Sequence, residues 1–333
     1  MTLTLRFLIF MCLFFRLEPL FAKSSLTVYT YQSFVSEWGP GSELKKLFEQ
    51  KCDCTLKFIS SGDGATLISK LKLEGRSSQA DVILGVDNSV LLDAIDSDLF
   101  LPLVPSKAKL QVSIPDKIRL NAVPFDFGMI SVMYDSLKIA NPPKSLDDLL
   151  ERADFKKKLI LQDPRFSAPG LSFLDFLSST YGSRLPEKLK LLRNQTLTVT
   201  PGWSEAYSLF TKREAPLVIS YTTSEFYHHI VEKSSRYRAA LFSEHSINVE
   251  FAGVVKTTKN KPLATSFVDF LLFPEAQKII AQANWMYPMI PESEIKDLNP
   301  IFTNASKPKI KELNFLTASD RKKLNNVWLS EFK

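Results

Sequence analysis

Short apolar strand segments alternate with amphipathic helical segments through most of this chain. Residues 26–31 (LTVYTY), 56–60 and 81–86 (DVILGV) have the composition of strands, and a segment with helical spacing follows each of them. Ser42 and Ser145 are expected to cap two of the helices. The segment at 81–86 is apolar without alternation, which is typical of a strand buried on both faces. Repeated strand–helix units predict an α/β fold with a parallel sheet covered by helices.

A second series of strand–helix units follows in the middle of the chain. Its strand segments are predicted at 159–162, 197–200, 217–221 and 249–255. A long extended stretch at 121–135, with Gly128 in its middle, lies between the two series. The chain has 333 residues, more than one compact core usually holds, so two lobes are expected. Because no Gly/Ser-rich linker separates the halves, strands are expected to join them as a hinge.

The first 22 residues predict export. Arg6 supplies a positive charge, residues 7–15 are wholly apolar, and Pro19 precedes a plausible cleavage site after Ala22. A helix needs about 20 apolar residues to span a bilayer, so this run is too short. We therefore interpret residues 1–22 as a secretory signal peptide. No later segment is apolar for long enough to span a membrane, and a soluble mature protein is expected.

Charge and cysteine content narrow the possible partners. The formal net charge is +6, but the basic residues are dispersed apart from 156–158, whereas nucleic-acid-binding proteins carry a basic stripe. We therefore expect no nucleic-acid partner. Cys52 and Cys54 are the cysteines outside the signal segment. Export permits a disulfide between them, but a Cys-x-Cys bridge closes a very small loop, so the sequence leaves their pairing open.

The sequence lacks the motifs of common enzyme classes. It contains no His-Glu-x-x-His, no phosphate-binding P-loop and no Gly-x-Ser-x-Gly. Its three histidines are His228, His229 and His245. Adjacent residues on a helix point about 100° apart, so the first two cannot easily share a metal ion. We expect no catalytic residues, no metal and no cofactor, and the histidines are predicted to lie at the surface or at an edge.

Aromatic residues cluster in the predicted loops. Trp203 follows Pro-Gly, and Tyr221 ends a predicted strand. Loops at the carboxyl ends of parallel strands face the ligand crevice, so these two are the principal candidates for stacking on a flat, cationic ring. Packing in the core is the alternative for each aromatic residue. A further set of candidates comprises Tyr29, Tyr31, Trp38, Tyr227, Trp285 and Tyr287.

Polar residues at predicted helix starts complete the candidate set. Asp63, between two glycines, either pairs with a positive ligand or forms a turn. Ser167 is placed to begin a helix, and Thr222-Thr223-Ser224 begins another. Free N–H groups at such ends can donate hydrogen bonds to an anion or to a hydroxyl oxygen, although plain capping explains the same pattern.

Eight segments, in the same order, resemble one known family. They are LTVYTYQSFVSEWGPG (26–41), ADVILGVDN (80–88), VPFDFGMISVMYD (123–135), NPPKSL (141–146), LQDPRFSAPGLS (161–172), VTPGWSEAYSLF (199–210), LVISYTTSEFYHH (217–229) and NWMYP (284–288). With them the chain resembles the periplasmic thiamine-binding proteins of Gram-negative bacteria, the solute receptors of thiamine ABC importers. The last forty or so residues resemble the family poorly.

This resemblance implies a two-lobed type II periplasmic-binding-protein fold whose lobes close on a strand hinge near 125–131 and 250–255. The implied lobes are 23–127 with 252–298, and 128–251. A helical tail at 299–333 is not assigned to a lobe. The implied ligand residues are Asp63, Gly64, Ser167, Ala168, Trp203, Tyr221, Thr222, Thr223, Ser224, Tyr227 and Trp285.

The resemblance also implies a function. The protein is expected to be a monomer that captures thiamine, or its mono- or diphosphate, in the periplasm and delivers it to an ABC permease and its ATPase. Ala168 and Gln32 depart from the family pattern, which leaves the preference for phosphorylated forms open. A receptor for ferric iron or a polyamine is the alternative, although Tyr221-Thr222 lacks the adjacent tyrosines of iron receptors. A thiamine-processing enzyme is disfavoured because Cys52 and Cys54 lie away from the expected crevice.

Overall fold

A computed structural model describes residues 23–304 and 308–332; the predicted signal peptide lies outside these residues. The strands are β1 (Ser25–Thr30), β2 (Thr55–Ser60), β3 (Val82–Asp87), β4 (Val123–Asp135), β5 (Leu159–Gln162), β6 (Thr196–Thr200), β7 (Leu217–Tyr221), β8 (Tyr237–Ala239), β9 (Glu244–His245), β10 (Ile247–Val254), β11 (Tyr287–Pro288) and β12 (Lys309–Ile310). The helices are α1 (Gly41–Cys52), α2 (Gly64–Glu74), α3 (Leu91–Asp96), α4 (Asp116–Arg119), α5 (Leu146–Glu151), α6 (Ala168–Tyr181), α7 (Leu185–Gln195), α8 (Trp203–Thr211), α9 (Ser224–Ile230), α10 (Lys261–Phe270), α11 (Pro274–Ile279), α12 (Ile301–Asn304) and α13 (Ala318–Glu331). The predicted α/β fold is confirmed.

Two groups of parallel strands flank a central antiparallel pair. The strand order is β2-β1-β3-β10-β4-β7-β5-β6. The pairs β1–β2 and β1–β3 are parallel, as are β5–β6 and β5–β7. Between the groups, β10 runs antiparallel to both β3 and β4. We call β1–β3 the first half-sheet and β5–β7 the second half-sheet.

The long strand β4 belongs to both halves. Its first part, residues 123–129, pairs with β10, whereas its second part, residues 130–135, pairs with β7 and β8. Every residue of β4 is buried, including the acids Asp126 and Asp135. The two stretches expected to form the hinge, near 125–131 and 250–255, therefore fall on the central pair of strands.

Apolar helix faces cover the sheet. In the first half, Phe48 of α1 contacts Phe267 and Phe270 of α10, with ring centroids 5.0 and 5.2 Å apart. In the second half, Phe210 of α8 packs against Tyr237 of β8 at 4.8 Å. Burying a large apolar side chain contributes about 1.5–3 kcal/mol. These contacts hold the helices in place, and with them the loops at the strand ends.

The structure confirms one of the two predicted helix caps and settles the pairing of the cysteines. The Ser145 hydroxyl accepts the backbone N–H of Asp148 at 3.0 Å, as predicted for a cap. The predicted cap at Ser42 is wrong, because α1 already begins at Gly41 with Pro40 in the cap position. Cys52 and Cys54 form a disulfide where α1 ends.

The C-terminal segment is not purely helical. Strand β12 pairs in parallel with β9, and α13 packs against α7. Arg321 of α13 also reaches Asp93 of α3 at 2.6 Å. The tail therefore contacts helices next to both half-sheets, whereas the lobe boundaries stated above stay predictions. Within the described residues, no helix is long and apolar enough to cross a membrane.

Candidate functional site

A cavity of about 510 Å³ opens where the carboxyl ends of the parallel strands from both half-sheets meet. Tyr31 follows β1, Gly64 begins α2 after β2, and Ala168 begins α6 after β5. Trp203 begins α8 after β6, and Tyr221 ends β7. The cavity thus has the position in which α/β sheets place their ligands, and its volume suits a small molecule.

Stacked aromatic rings form one wall. Trp203 lies 4.7 Å from Tyr207, with the ring planes 21° apart, and Trp38 approaches Trp203 at 6.5 Å. The indole N–H of Trp203 donates to the Ser220 hydroxyl at 2.8 Å, which fixes the ring orientation. Because Trp203 is only partly buried, it keeps a surface for a ligand.

Tyr227 and Trp285 contribute another part of the lining. Their rings meet edge to face at 5.7 Å, and Trp285 stacks on Phe302 at 6.4 Å. Trp285 has a positive φ of 55°, which ends the preceding helical turn. The contact with Phe302 holds this strained position and places the indole at the cavity.

The rings of Tyr31 and Tyr221 depend on nearby glycines. A Cβ atom on Gly85 would lie 2.2 Å from Cδ1 of Tyr31, and one on Gly128 would lie 2.7 Å from Cδ1 of Tyr221. Gly85 also has a φ of +94°, a conformation that favours glycine. The two tyrosines can therefore pack directly on the backbone of β3 and β4.

Asp63 brings a carboxylate to the cavity. It precedes α2 without capping it, and its Oδ2 atom is buried without a hydrogen-bond partner among the described residues. Burial raises the pKa of Asp63 to about 6, while the Ser167 hydroxyl and the backbone N–H of Ala168 act in the opposite direction. A buried oxygen of this kind is available to a donor or a cation from a ligand.

A second acidic group lies on the central strands. Tyr31 donates its hydroxyl hydrogen to Glu250 Oε2 at 2.7 Å. The Asn284 side-chain amide donates to the Tyr31 hydroxyl and to Asp126 Oδ2, each at 2.8 Å. Glu250 lines the cavity, and Asp126 is fully buried behind it. Burial is the main cause that raises the pKa of both carboxyl groups.

The lining is both aromatic and acidic. Among the residues that the structure describes, Asp63, Glu232 and Glu250 are the acids on the cavity surface, and no lysine, arginine or histidine lies there. Aromatic faces and carboxylates both favour positive charge. The arrangement therefore suits a flat, cationic small molecule.

Comparison with known proteins agrees with this geometry. Residues 25–278 match the family model described as "Bacterial extracellular solute-binding protein". The chain belongs to this family of solute-binding proteins. The match spans both half-sheets and the central pair, and the predicted two-lobed, type II binding-protein fold is thereby confirmed.

Individual relatives of this solute-binding protein carry one recurrent name. It is 43% identical over 314 residues to the thiamine-binding periplasmic protein of Brucella melitensis, covering 93% of this chain and 92% of the relative. The Salmonella typhimurium protein of the same name is 46% identical over 273 residues, 81% and 83% of the two chains. A solved structure titled "Periplasmic thiamin binding protein" aligns with a TM-score of 0.87 at 39% identity, covering 93% of this chain and 97% of that one.

Most of the predicted ligand residues meet at the cavity of this binding protein. Its lining includes Asp63, Gly64, Ala168, Trp203, Tyr221, Ser224, Tyr227 and Trp285. Ser167, Thr222 and Thr223 are buried and do not line it. The Ser167 hydroxyl faces Asp63 and does not cap α6. Ligand contact by these residues stays a prediction.

Of the four remaining aromatic candidates, two line the cavity and two do not. Tyr31 and Trp38 line the cavity. Tyr29 does not, since its hydroxyl donates to Glu74 at 3.3 Å and Lys70 lies over its ring. Tyr287 is buried against Phe127 at 5.4 Å. Tyr29 lies within β1, whereas Tyr31 follows the last residue of that strand, at the edge of the sheet where the cavity opens.

The sequence analysis missed Tyr207, Glu250 and Asn284, all of which line the cavity. A signal was present for Glu250, because it is the one charged residue in a mostly apolar strand. The predicted surface position of the histidines is wrong for His228 and His245, which are fully buried. Hydrogen bonds at both ring nitrogens explain their burial; for His228 the partners are the Tyr207 hydroxyl and a Glu232 carboxylate.

Proposed function

We propose that this protein is a receptor that binds thiamine in the cavity and delivers it to an ABC importer. The aromatic, acidic lining without a basic residue among the described ones carries the proposal, because it suits a flat cation. The names of relatives at 43–46% identity support the choice of solute. Binding without chemical turnover is expected of such a receptor.

The chemistry of thiamine fits the side chains that meet here. Thiamine has an aminopyrimidine ring, a cationic thiazolium ring and a hydroxyethyl group. Trp203, Tyr221 and Trp285 offer ring faces, and Asp63 offers a buried acceptor for an amino group or balances positive charge. Each cation–aromatic contact contributes about 0.5–2 kcal/mol. We infer that these contacts together select thiamine.

Capture is proposed to involve closure of two lobes about β4 and β10. The proposed lobes are 23–127 with 252–298, and 128–251. Since the cavity is lined from both half-sheets, a ligand there contacts both sides and stabilises the closed arrangement. A hinge made of two paired strands restricts the motion to bending rather than free rotation.

The cellular setting is also proposed. The chain's family is extracellular, and relatives are named periplasmic proteins. We infer that residues 1–22 direct export and are removed, and that the mature monomer works in the periplasm. Its partners are then an inner-membrane permease and, through it, an ATPase.

A fluorescence titration of residues 23–333 with thiamine tests this function. We expect saturable binding with a submicromolar Kd, a free energy beyond about −8 kcal/mol, and a change in tryptophan emission. Trp203→Ala removes a stacking face and is expected to weaken binding at least tenfold, with Trp203→Phe intermediate. Phe273→Ala, at an exposed aromatic residue outside the lining, is the matched control. Absence of binding by the folded wild type would refute the function.

A further inference from the structure

We propose that Asp126 and Glu250 form a carboxyl pair that shares a proton when no ligand is bound. When the ligand is bound, the pair supplies the counter-charge for its quaternary nitrogen. On binding, the cation takes the place of the proton, which leaves to solvent, so one positive charge enters for each proton released. The inference rests on the function proposed above. It adds a specificity determinant and a proton exchange to that function.

The pairing of the central strands brings the two carboxyl groups together. Asp126 and Glu250 are directly opposite each other in the antiparallel register of β4 and β10, where opposing Cβ atoms lie about 4.5–5.5 Å apart. The register shifts immediately after Glu250, and irregularities of this kind re-aim side chains next to binding sites. Glu250 thereby faces the cavity, and Asp126 lies behind it.

The hydrogen bonds around the pair are incomplete. Glu250 accepts from the Tyr31 hydroxyl, and Asp126 Oδ2 accepts from Asn284. Asp126 Oδ1, however, is buried with no hydrogen-bond partner among the described residues, and the side chain as a whole has 0% exposure. Two buried carboxylates with so few donors are costly, and a shared proton or a nearby cation removes the cost.

The charged and polar groups around the pair also favour its protonated form. Asp87 of β3 and Asp63 before α2 both repel negative charge on Glu250. Tyr31 after β1 and Tyr221 of β7 are neutral, and the pKa of each hydroxyl is raised by burial and by the negative charge of Glu250 and Asp126. Asn284 is neutral, and the described lining contains no basic side chain. Within the described part of the chain, therefore, no basic side chain lines the cavity to neutralise the pair from that side.

Burial raises the pKa of both members, and their mutual repulsion raises that of Glu250 further, so the pair holds a proton near neutral pH. A cation placed against the pair lowers its pKa. Binding therefore releases a proton. It also weakens as the pH falls, by up to tenfold per pH unit for one proton released.

Calorimetric titration at pH 7 in two buffers of different ionisation enthalpy counts the protons released. The probes are thiamine and its neutral deaza analogue, in which carbon replaces the quaternary nitrogen and the pyrimidine is unchanged. For the wild type, thiamine is expected to release up to one proton and the analogue none. Glu250→Gln, which retains an acceptor for Tyr31, is expected to abolish the release and to weaken thiamine binding at least tenfold, with the analogue changed less than threefold.

Glu37→Gln is the matched control, because Glu37 is an exposed acid between two lining residues and does not itself line the cavity. It should release protons as the wild type does. Thiamine binding without proton release by the wild type, or equal binding of thiamine and the analogue, would overturn the inference and leave the receptor function standing. Should Glu250→Gln fail to fold, the wild-type comparison of the two ligands decides alone. No thiamine binding by the folded wild type would instead refute the function itself.

Discussion

Replacing Gly128 with alanine tests whether the central strand positions the tyrosine at the cavity. The new Cβ would lie 2.7 Å from Cδ1 of Tyr221 and 2.9 Å from Cε and Sδ of Met286. Carbon atoms in contact normally stay about 3.5–4.0 Å apart, so both neighbours must move by nearly an ångström. Both line the cavity, and their displacement changes its shape.

The expected magnitude follows from two opposing effects. Overpacking a closely packed site costs about 1–3 kcal/mol, whereas replacing glycine by alanine in a compatible backbone gains about 0.4–1 kcal/mol through the unfolded state. We therefore expect Gly128→Ala to lose about 1–2 kcal/mol of unfolding free energy. Displacement of Tyr221 is expected to weaken thiamine binding at least tenfold, which corresponds to about 1.4 kcal/mol.

Urea unfolding and a thiamine titration measure the two effects separately. Gly182→Ala is the control, since a Cβ there meets nothing within 4 Å although φ is +55°. That variant should lose stability through backbone strain but bind thiamine as the wild type does. If Gly128→Ala binds thiamine within twofold of the wild type, the reasoning about Tyr221 is refuted.

Two further tests change charged side chains, one at the cavity and one in the C-terminal helix α13. The pKa of Asp63 is higher in the folded protein than in the unfolded chain, so its ionisation costs stability as the pH rises from about 4 to 6. Asp63→Asn is expected to stabilise the ligand-free protein by about 1–3 kcal/mol at pH 7 while weakening thiamine binding; an unchanged urea midpoint would contradict this. Arg321→Ala removes the 2.6 Å ion pair with Asp93 and should cost about 1 kcal/mol, whereas Lys323→Ala, in an exposed 3.9 Å pair, should cost nothing measurable.

Strands β5 and β7 were predictable because the apolar composition of each short segment indicates that it is buried. The segments 159–162 and 217–221 match β5 and β7 residue for residue. Both are short apolar runs bounded by turn-forming or polar residues, so local composition sets their ends. The position of Tyr221 at a strand end, facing a crevice, followed from the same pattern.

The central antiparallel pair and its acids were not predictable in this way. Asp126 and Glu250 become neighbours only through the register of β4 with β10, which joins distant parts of the chain. Taken alone, each is an acid in a mostly apolar strand. The role of Ser167 differed for a similar reason: its hydroxyl faces Asp63, a contact between two half-sheets that local cap rules do not contain.

Equilibrium dialysis of the purified wild-type protein, residues 23–333, against labelled thiamine tests the central claim most directly. The account predicts one bound thiamine per chain with a submicromolar Kd, recovered chemically unchanged after dialysis. Folded protein that retains no thiamine above the free concentration, or that returns it chemically altered, would contradict the assignment as a thiamine receptor.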